Sequence, residues 1–190
     1  MKKRIMINGI IMGVAGVFVV LFRGAFFRQA NPGWLENSLR AIGLLSLFLG
    51  QLIRVSARGY KAEHSKNSHA LIEGGPYNTV RNPMYLGILL IGFGVVLMLF
   101  NFWVVFIFLL IFALRYYPLI LSEEKKLRKM FGEIYDAYCI RVPRIIPRLS
   151  TLIKSNLKEY LPIKLAWFKK EVNSIIPLLI LIFLFFLWRR

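Results

Sequence analysis

The sequence predicts an all-α integral membrane protein: a single membrane domain over residues 1–190 with about five transmembrane helices, two of them joined as a tight helical hairpin. Three observations carry that expectation. Of the 190 residues 57% are hydrophobic, and the mean hydropathy of +0.59 is well above that of soluble domains. The apolar residues gather in five runs, at 5–22, 39–55, 84–100, 102–121 and 173–188. Charged residues fall almost entirely between the runs, as expected where the bilayer centre penalises charge.

The first run follows Lys2-Lys3-Arg4 and, at ~1.5 Å per residue, nearly crosses the ~30 Å hydrocarbon core. A secretory signal has a shorter apolar stretch, and Arg23 follows directly, so a retained span is expected. Asn31-Pro32-Gly33 is turn chemistry, and the second run has Arg40 and Arg54 placed to snorkel to the interfaces. From Val55 to Arg81 the chain turns polar and basic and is expected to be a loop. Two apolar runs follow, divided by Asn101, the one polar residue between Tyr85 and Arg115 apart from glycines, which predicts the hairpin. Gly87, Gly92 and Gly94 in its first arm are read as close helix packing by small residues. Pro118 is expected to break or kink the second arm. Leu127, Met130, Phe131, Ile134, Tyr135 and Tyr138 then recur at helical spacing opposite Lys125, Lys126, Lys129, Glu133 and Asp136, predicting an amphipathic helix. Residues 149–172 are basic and apolar by turns and suit an interfacial helix on an anionic leaflet, and 173–188 is a short final run.

The net charge of +17 would fit a nucleic-acid binder in a soluble chain; here it sorts by membrane side instead. With a cytoplasmic N-terminus and five crossings, all 26 basic residues face the cytoplasm except Arg23, Arg28, Arg40, Arg189 and Arg190. No nucleic-acid partner is expected. A single Cys139 and two histidines, His64 and His69, leave no thiol-rich metal set, so no metal site is expected. No Ser-His-Asp set, P-loop or strand-borne G-x-G-x-x-G is present either.

The stretch densest in chemistry is His69 to Gly87, HALIEGGPYNTVRNPMYLG. Gly74-Gly75-Pro76 reads as a turn, and Pro83 as the first residue of a helix. Its pieces His69-Ala70-Leu71-Ile72, Gly75-Pro76-Tyr77 and Arg81-Asn82-Pro83-Met84-Tyr85-Leu86-Gly87 resemble the signature of the isoprenylcysteine carboxyl methyltransferase and phospholipid methyltransferase superfamily: H-x-L-V, G-P-Y, R-H-P-x-Y-x-G. Asn82 stands where that signature has histidine. Glu123-Glu124, Phe131-Gly132 with Tyr135 and Tyr138, and Val142-Pro143-Arg144-Ile145-Ile146-Pro147 are similar to its second block.

That resemblance implies a membrane methyltransferase using S-adenosylmethionine, with S-adenosylhomocysteine as product and a lipid or lipidated small molecule as acceptor. It implies a cytoplasmic cofactor site built from loops and the amphipathic helix, within blocks 56–83 and 122–148. Cofactor contacts carry over to His69, Ala70, Leu71, Ile72, Tyr77, Asn82, Pro83, Met84, Tyr85, Glu123 and Glu124, with Glu123 expected to hold the ammonium group. Arg81, Asn82 and Arg115 are the catalytic candidates, Arg115 being nearest to the position of the arginine that would hold a prenylcysteine carboxylate. Methyl transfer suits such a set, because the donor is already activated and the protein need only bind it, exclude water and align the acceptor. A phospholipid amine acceptor and a non-catalytic scaffold are the alternatives.

Overall fold

The computed structural model describes residues 21–27, 33–65, 70–148, 161–164 and 166–168, with Ile176 and Ile180. The described residues form helices α1 (Arg23–Phe26), α2 (Trp34–His64), α3 (Pro76–Thr79), α4 (Pro83–Leu99), α5 (Val104–Phe131) and α6 (Glu133–Arg141), with no strand among them. Most of the first and last apolar runs, and of residues 149–172, lie outside the described residues, as does His69.

Helices α2 and α5 are long and apolar enough to cross a bilayer, and α4 is a shorter apolar helix. Only 28% and 22% of the apolar windows of α2 and α5 are buried, so both present apolar faces outward, as lipid requires and water forbids. Leu44, Leu45 and Phe48 on α2 and Phe106, Leu110 and Leu114 on α5 make up much of that exposed surface.

Glycine decides which helices pair. Antiparallel α2 and α4 are the most closely packed pair, closer than the two hairpin arms α4 and α5. Gly43 faces Gly94 and Gly50 faces Gly87, and a Cβ built at Gly94 would sit 2.5 Å from the Gly43 carbonyl oxygen. Between these glycines the Ser46 hydroxyl donates to the Leu90 carbonyl at 2.9 Å. Such approach lets two backbones gain dispersion contact where lipid offers no hydrophobic drive, which bears out the packing reading of Gly87 and Gly94. Gly92 instead takes the edge of the Phe108 ring from α5.

The hairpin turn falls at Asn101 as expected. Its backbone N–H donates to Phe26 O at 2.8 Å and its side-chain Nδ2 to Ala25 O at 2.7 Å, tying the turn to the chain after the first run. Phe26 against Trp103 and Phe27 against Phe100 close the apolar side of that turn.

Four expectations need correction. The polar stretch after Val55 is no loop at its start: α2 continues through it to His64. Polarity marks where a helix leaves the bilayer, but Ala57, Arg58, Lys61, Ala62 and Glu63 are sound helix formers, and no proline stops them. Pro118 lies inside a continuous α5. Losing one hydrogen bond there costs about 3 kcal/mol, whereas ending the helix in an apolar surround leaves several backbone groups unpaired at several kcal/mol each. The amphipathic helix is in fact two pieces, because Gly132 adopts φ +52° and divides α5 from α6. The reset changes the buried face: Tyr135 and Tyr138 are buried, but Met130 is 72% and Ile134 61% exposed. Finally, the described part of the basic segment docks on protein. Trp167 is buried against Gly59 and donates to Glu63 Oε1 at 2.9 Å, Lys164 pairs with Glu63 at 2.6 Å, and Ser56 donates to Pro162 O at 2.7 Å.

Candidate active site

The two signature blocks meet at one end of the α2–α4–α5 bundle. Gly75, at φ +60°, supports a turn that no side chain would adopt easily, and the Tyr60 ring of α2 packs beneath Gly74 and Gly75. Pro76 opens α3, and Tyr77 donates its hydroxyl to Ala57 O at 3.4 Å. Tyr138 of α6 donates to Tyr77 O at 2.6 Å. Burial pushes the Tyr77 phenol well above its ordinary range, with the charge of Glu123 adding to it, and burial does the same for Tyr138. Both stay neutral donors at physiological pH. Leu71 joins Tyr135, Tyr138 and Val142 in one apolar cluster, so the start of the first block is seated on the second.

Backbone bonds then lace the blocks together, Arg81 N–H to Pro143 O at 2.8 Å and Asn82 N–H to Arg144 O at 3.1 Å. Buried Glu124 sits at the crossing. Its Oε1 accepts from Arg81 Nε at 3.2 Å and Asn82 Nδ2 at 3.1 Å, and its Oε2 from Arg144 Nε at 3.0 Å and Nη2 at 2.9 Å. Arg81 also donates to Cys139 O and Val142 O, and Arg144 to the Tyr117 hydroxyl at 3.1 Å. The bonds to Glu124 hold the Arg144 guanidinium more firmly protonated than usual. Arg81, Asn82 and Glu124 are thus committed to each other, and a carboxylate with all its lone pairs engaged has little left for a ligand.

Glu123 is placed differently. About 100° round α5 from Glu124, its Oε1 accepts from the Tyr85 hydroxyl at 2.7 Å. Its second oxygen takes no hydrogen bond from a described residue. The Tyr85 ring lies 5.8 Å from that of Tyr116, and Tyr116 lies 4.7 Å from Phe112 in a tilted pair. Beside these rings opens a cavity of about 330 Å³ between α2, α4 and α5, lined by Arg54 and Arg115 among apolar side chains.

The structure therefore divides the residues expected in one site into two adjoining groups. Arg81, Asn82 and Glu124 form a clasp; Tyr85 and Glu123 pair beside it, and Arg115, earlier on α5, lines the cavity. Pro83 is fully buried at the start of α4, Met84, Leu71 and Ile72 are half-buried, and Ala70 is exposed. Sequence reasoning gave no site role to Arg144, although it lies in the V-P-R-x-I-P stretch, nor to Tyr116, Tyr117 or Arg54.

Residues 39–134 match the phospholipid methyltransferase family, and the chain belongs to that family. It is 35% identical over 128 residues to the protein-S-isoprenylcysteine O-methyltransferase of Schizosaccharomyces pombe, covering 61% of this chain and 54% of that protein. It is 30% identical over 122 residues to protein-S-isoprenylcysteine O-methyltransferase B of Arabidopsis thaliana, covering 60% of each. It is also 30% identical over 139 residues to the nickel-cobalt-cadmium resistance protein NccN of Alcaligenes xylosoxydans xylosoxydans, covering 72% of this chain and 62% of that one. The chain thus spans little more than half the length of these relatives. No solved structure matches it.

Proposed function

We propose that the protein is an S-adenosylmethionine-dependent methyltransferase acting on a lipid-like acceptor, in the first place a prenylcysteine-type carboxylate. The observation that carries this is the Tyr85–Glu123 pair, which joins the two signature blocks and leaves the second carboxylate oxygen of exposed Glu123 without a hydrogen bond from a described residue. The residues suit the donor: a free carboxylate for an ammonium group, and the Tyr77 and Tyr85 rings as faces for a cationic sulfur. The stretch from Ala70 to Ile72, with His69 before it, borders the same end. When bound, S-adenosylmethionine supplies an activated methyl group, its carbon–sulfur bond breaking as the acceptor–methyl bond forms and the electron pair passing to sulfur. Glu123 and Tyr85 hold and orient; the Glu124 clasp keeps Pro83 and Tyr85 at a fixed distance from α5.

The chemistry of the acceptor follows from what is engaged. A carboxylate oxygen can take a methyl group without losing a proton, whereas an amine must shed one. Asn82 offers no titrating group where the signature has histidine, and Arg81 and Glu124 are bonded to each other. A carboxylate is therefore the acceptor this site serves best. Lipid extract incubated with purified protein and methyl-labelled donor tests it: the label should be released as methanol by mild alkali, and alkali-stable label would mean N-methylation instead.

Glu123→Gln is expected to raise the dissociation constant for S-adenosylmethionine roughly tenfold to hundredfold, the value of a charge-assisted hydrogen bond of about 1.5–3 kcal/mol. Calorimetric titration reads it directly, and binding equal to the parent's would remove Glu123 from the site.

The basic-residue count supports a topology of five crossings with both blocks on the cytoplasmic side and the Asn101 turn outside. A cysteine at exposed Phe102 should then label with an impermeant maleimide from outside, and one at Ala70 should not. Labelling of Phe102→Cys only after membranes are opened would invert the topology.

A further inference from the structure

Past Val55, where the apolar run ends, α2 continues to His64 and carries different partners on two of its sides. At about 100° per residue, Ser56, Gly59 and Glu63 share one stripe, and Ala57 and Tyr60 share a second beside it. The second stripe bears the first signature block. Ala57 O accepts from the Tyr77 hydroxyl at 3.4 Å, and a Cβ built at Gly75 would come within 2.8 Å of the Tyr60 ring. The His64 ring stacks on that of Tyr60 at 3.9 Å, so the last turn of α2 fixes where the Tyr60 ring stands.

The first stripe bears a segment that belongs to neither block. Ser56, fully buried, donates to Pro162 O at 2.7 Å. Glu63 accepts from Trp167 Nε1 at 2.9 Å and from Lys164 Nζ at 2.6 Å, and that ammonium group lies 5.3 Å from the indole centroid. Between them Gly59 meets the buried indole so closely that any Cβ there would overlap the ring. Glycine weakens a helix, and the indole is what this one makes room for. A helix end that has left the bilayer frays unless tertiary contacts hold it, and a buried indole is among the largest contacts one side chain can supply. We propose that residues 161–164 with Trp167 form a strap that clamps the end of α2 and so holds the first signature block in its donor-binding shape. Trp167 is then a positioning residue, acting through Gly59 and Glu63 on Tyr60 and the Gly74-Gly75 turn. What the block binds rests on the methyltransferase reading; how it is held does not.

Two measurements on the full chain in detergent test the strap: calorimetric titration of S-adenosylhomocysteine, and hydrogen exchange of the Tyr77 and Asn78 amides, which bond to Gly74 O and Gly75 O. Trp167→Ala and Gly59→Ala should each weaken binding and speed that exchange about tenfold, with exchange in α4 unchanged. The double variant should be no worse than either single one, because both remove the same contact. Trp167→Phe, which keeps a ring against Gly59, should retain most of the affinity. Alanine is the better helix former, so a loss in Gly59→Ala comes from the displaced indole and not from a weakened helix. Parent-like binding and exchange in both single variants would overturn the strap, as would additive losses in the double variant or an equal rise of exchange in α4. Faster exchange with parent-like binding would overturn the positioning role. If S-adenosylhomocysteine does not bind the parent while exchange responds as expected, the methyltransferase reading falls and the strap stands.

Discussion

Glu124→Ala is expected to lower stability by about 3–5 kcal/mol, because it removes one partner of a buried ionic network and leaves the others uncompensated. Arg81 has a side chain only 10% exposed, so its guanidinium cannot turn to water for replacement partners. Arg144, at 36% exposure, can do so in part. Glu123→Ala is the comparison. It removes the same group from the neighbouring residue, but Glu123 is exposed and touches one hydroxyl, so its cost should stay near or below 1 kcal/mol. Chemical denaturation of both variants in detergent decides the matter. Equal losses would mean that the pair merely begins the polar part of α5 and that no clasp holds the blocks.

Gly94→Val is expected to cost about 3 kcal/mol, the upper range for overpacking, since its Cβ would meet the Gly43 carbonyl and the Leu47 backbone rather than a movable side chain. Backbone cannot rotate away, so α2 and α4 must separate along the whole seam. Gly24→Ala is the control: nothing lies within 4 Å of its Cβ position, and alanine is the better helix former. A melting temperature unchanged in Gly94→Val would show that the seam is looser than its contacts imply.

The parts of the fold legible in sequence are those fixed by one residue against its neighbours. Asn101 in an unbroken apolar run could only be a turn, and Pro83 after Asn82 could only open a helix. Gly87 and Gly94 could be read as packing residues, but not their partners, because Gly43 and Gly50 lie in another run and pair through register. The end of α2 was illegible for a different reason: the pattern that reports burial changes at Val55, while the backbone does not. Gly132 stood inside the F-G-x-x-Y stretch, yet a continuous 3.6-residue period across it looked like one helix, and only its positive φ resets the face. The site divided on the same principle. Glu123 and Glu124 are adjacent and chemically equal, but about 100° of helical rotation sends one to Tyr85 and the other to Arg81, Asn82 and Arg144. Sequence supplied both carboxylates and their neighbourhood; which was already spoken for depended on Arg144, a residue reached only after the end of α5 and the whole of α6.

That last dependence sets an order of assembly. Chains emerge from the ribosome N-terminus first, at about 5–20 residues per second. The glycine seam needs nothing beyond Gly94, so α2 and α4 can close on each other while the rest is still being made. Arg81 and Asn82 are by then in place but hold only half a clasp. Glu124 arrives next with a single guanidinium to meet it, and the backbone bonds from Arg81 and Asn82 wait for Pro143 and Arg144. The α2–α4 seam can therefore form while synthesis is under way, whereas the clasp on Glu124 is complete only once Arg144 has been added. A nascent chain arrested before Pro143 would have its glycine seam complete but neither the backbone bonds to Pro143 and Arg144 nor the second guanidinium on Glu124.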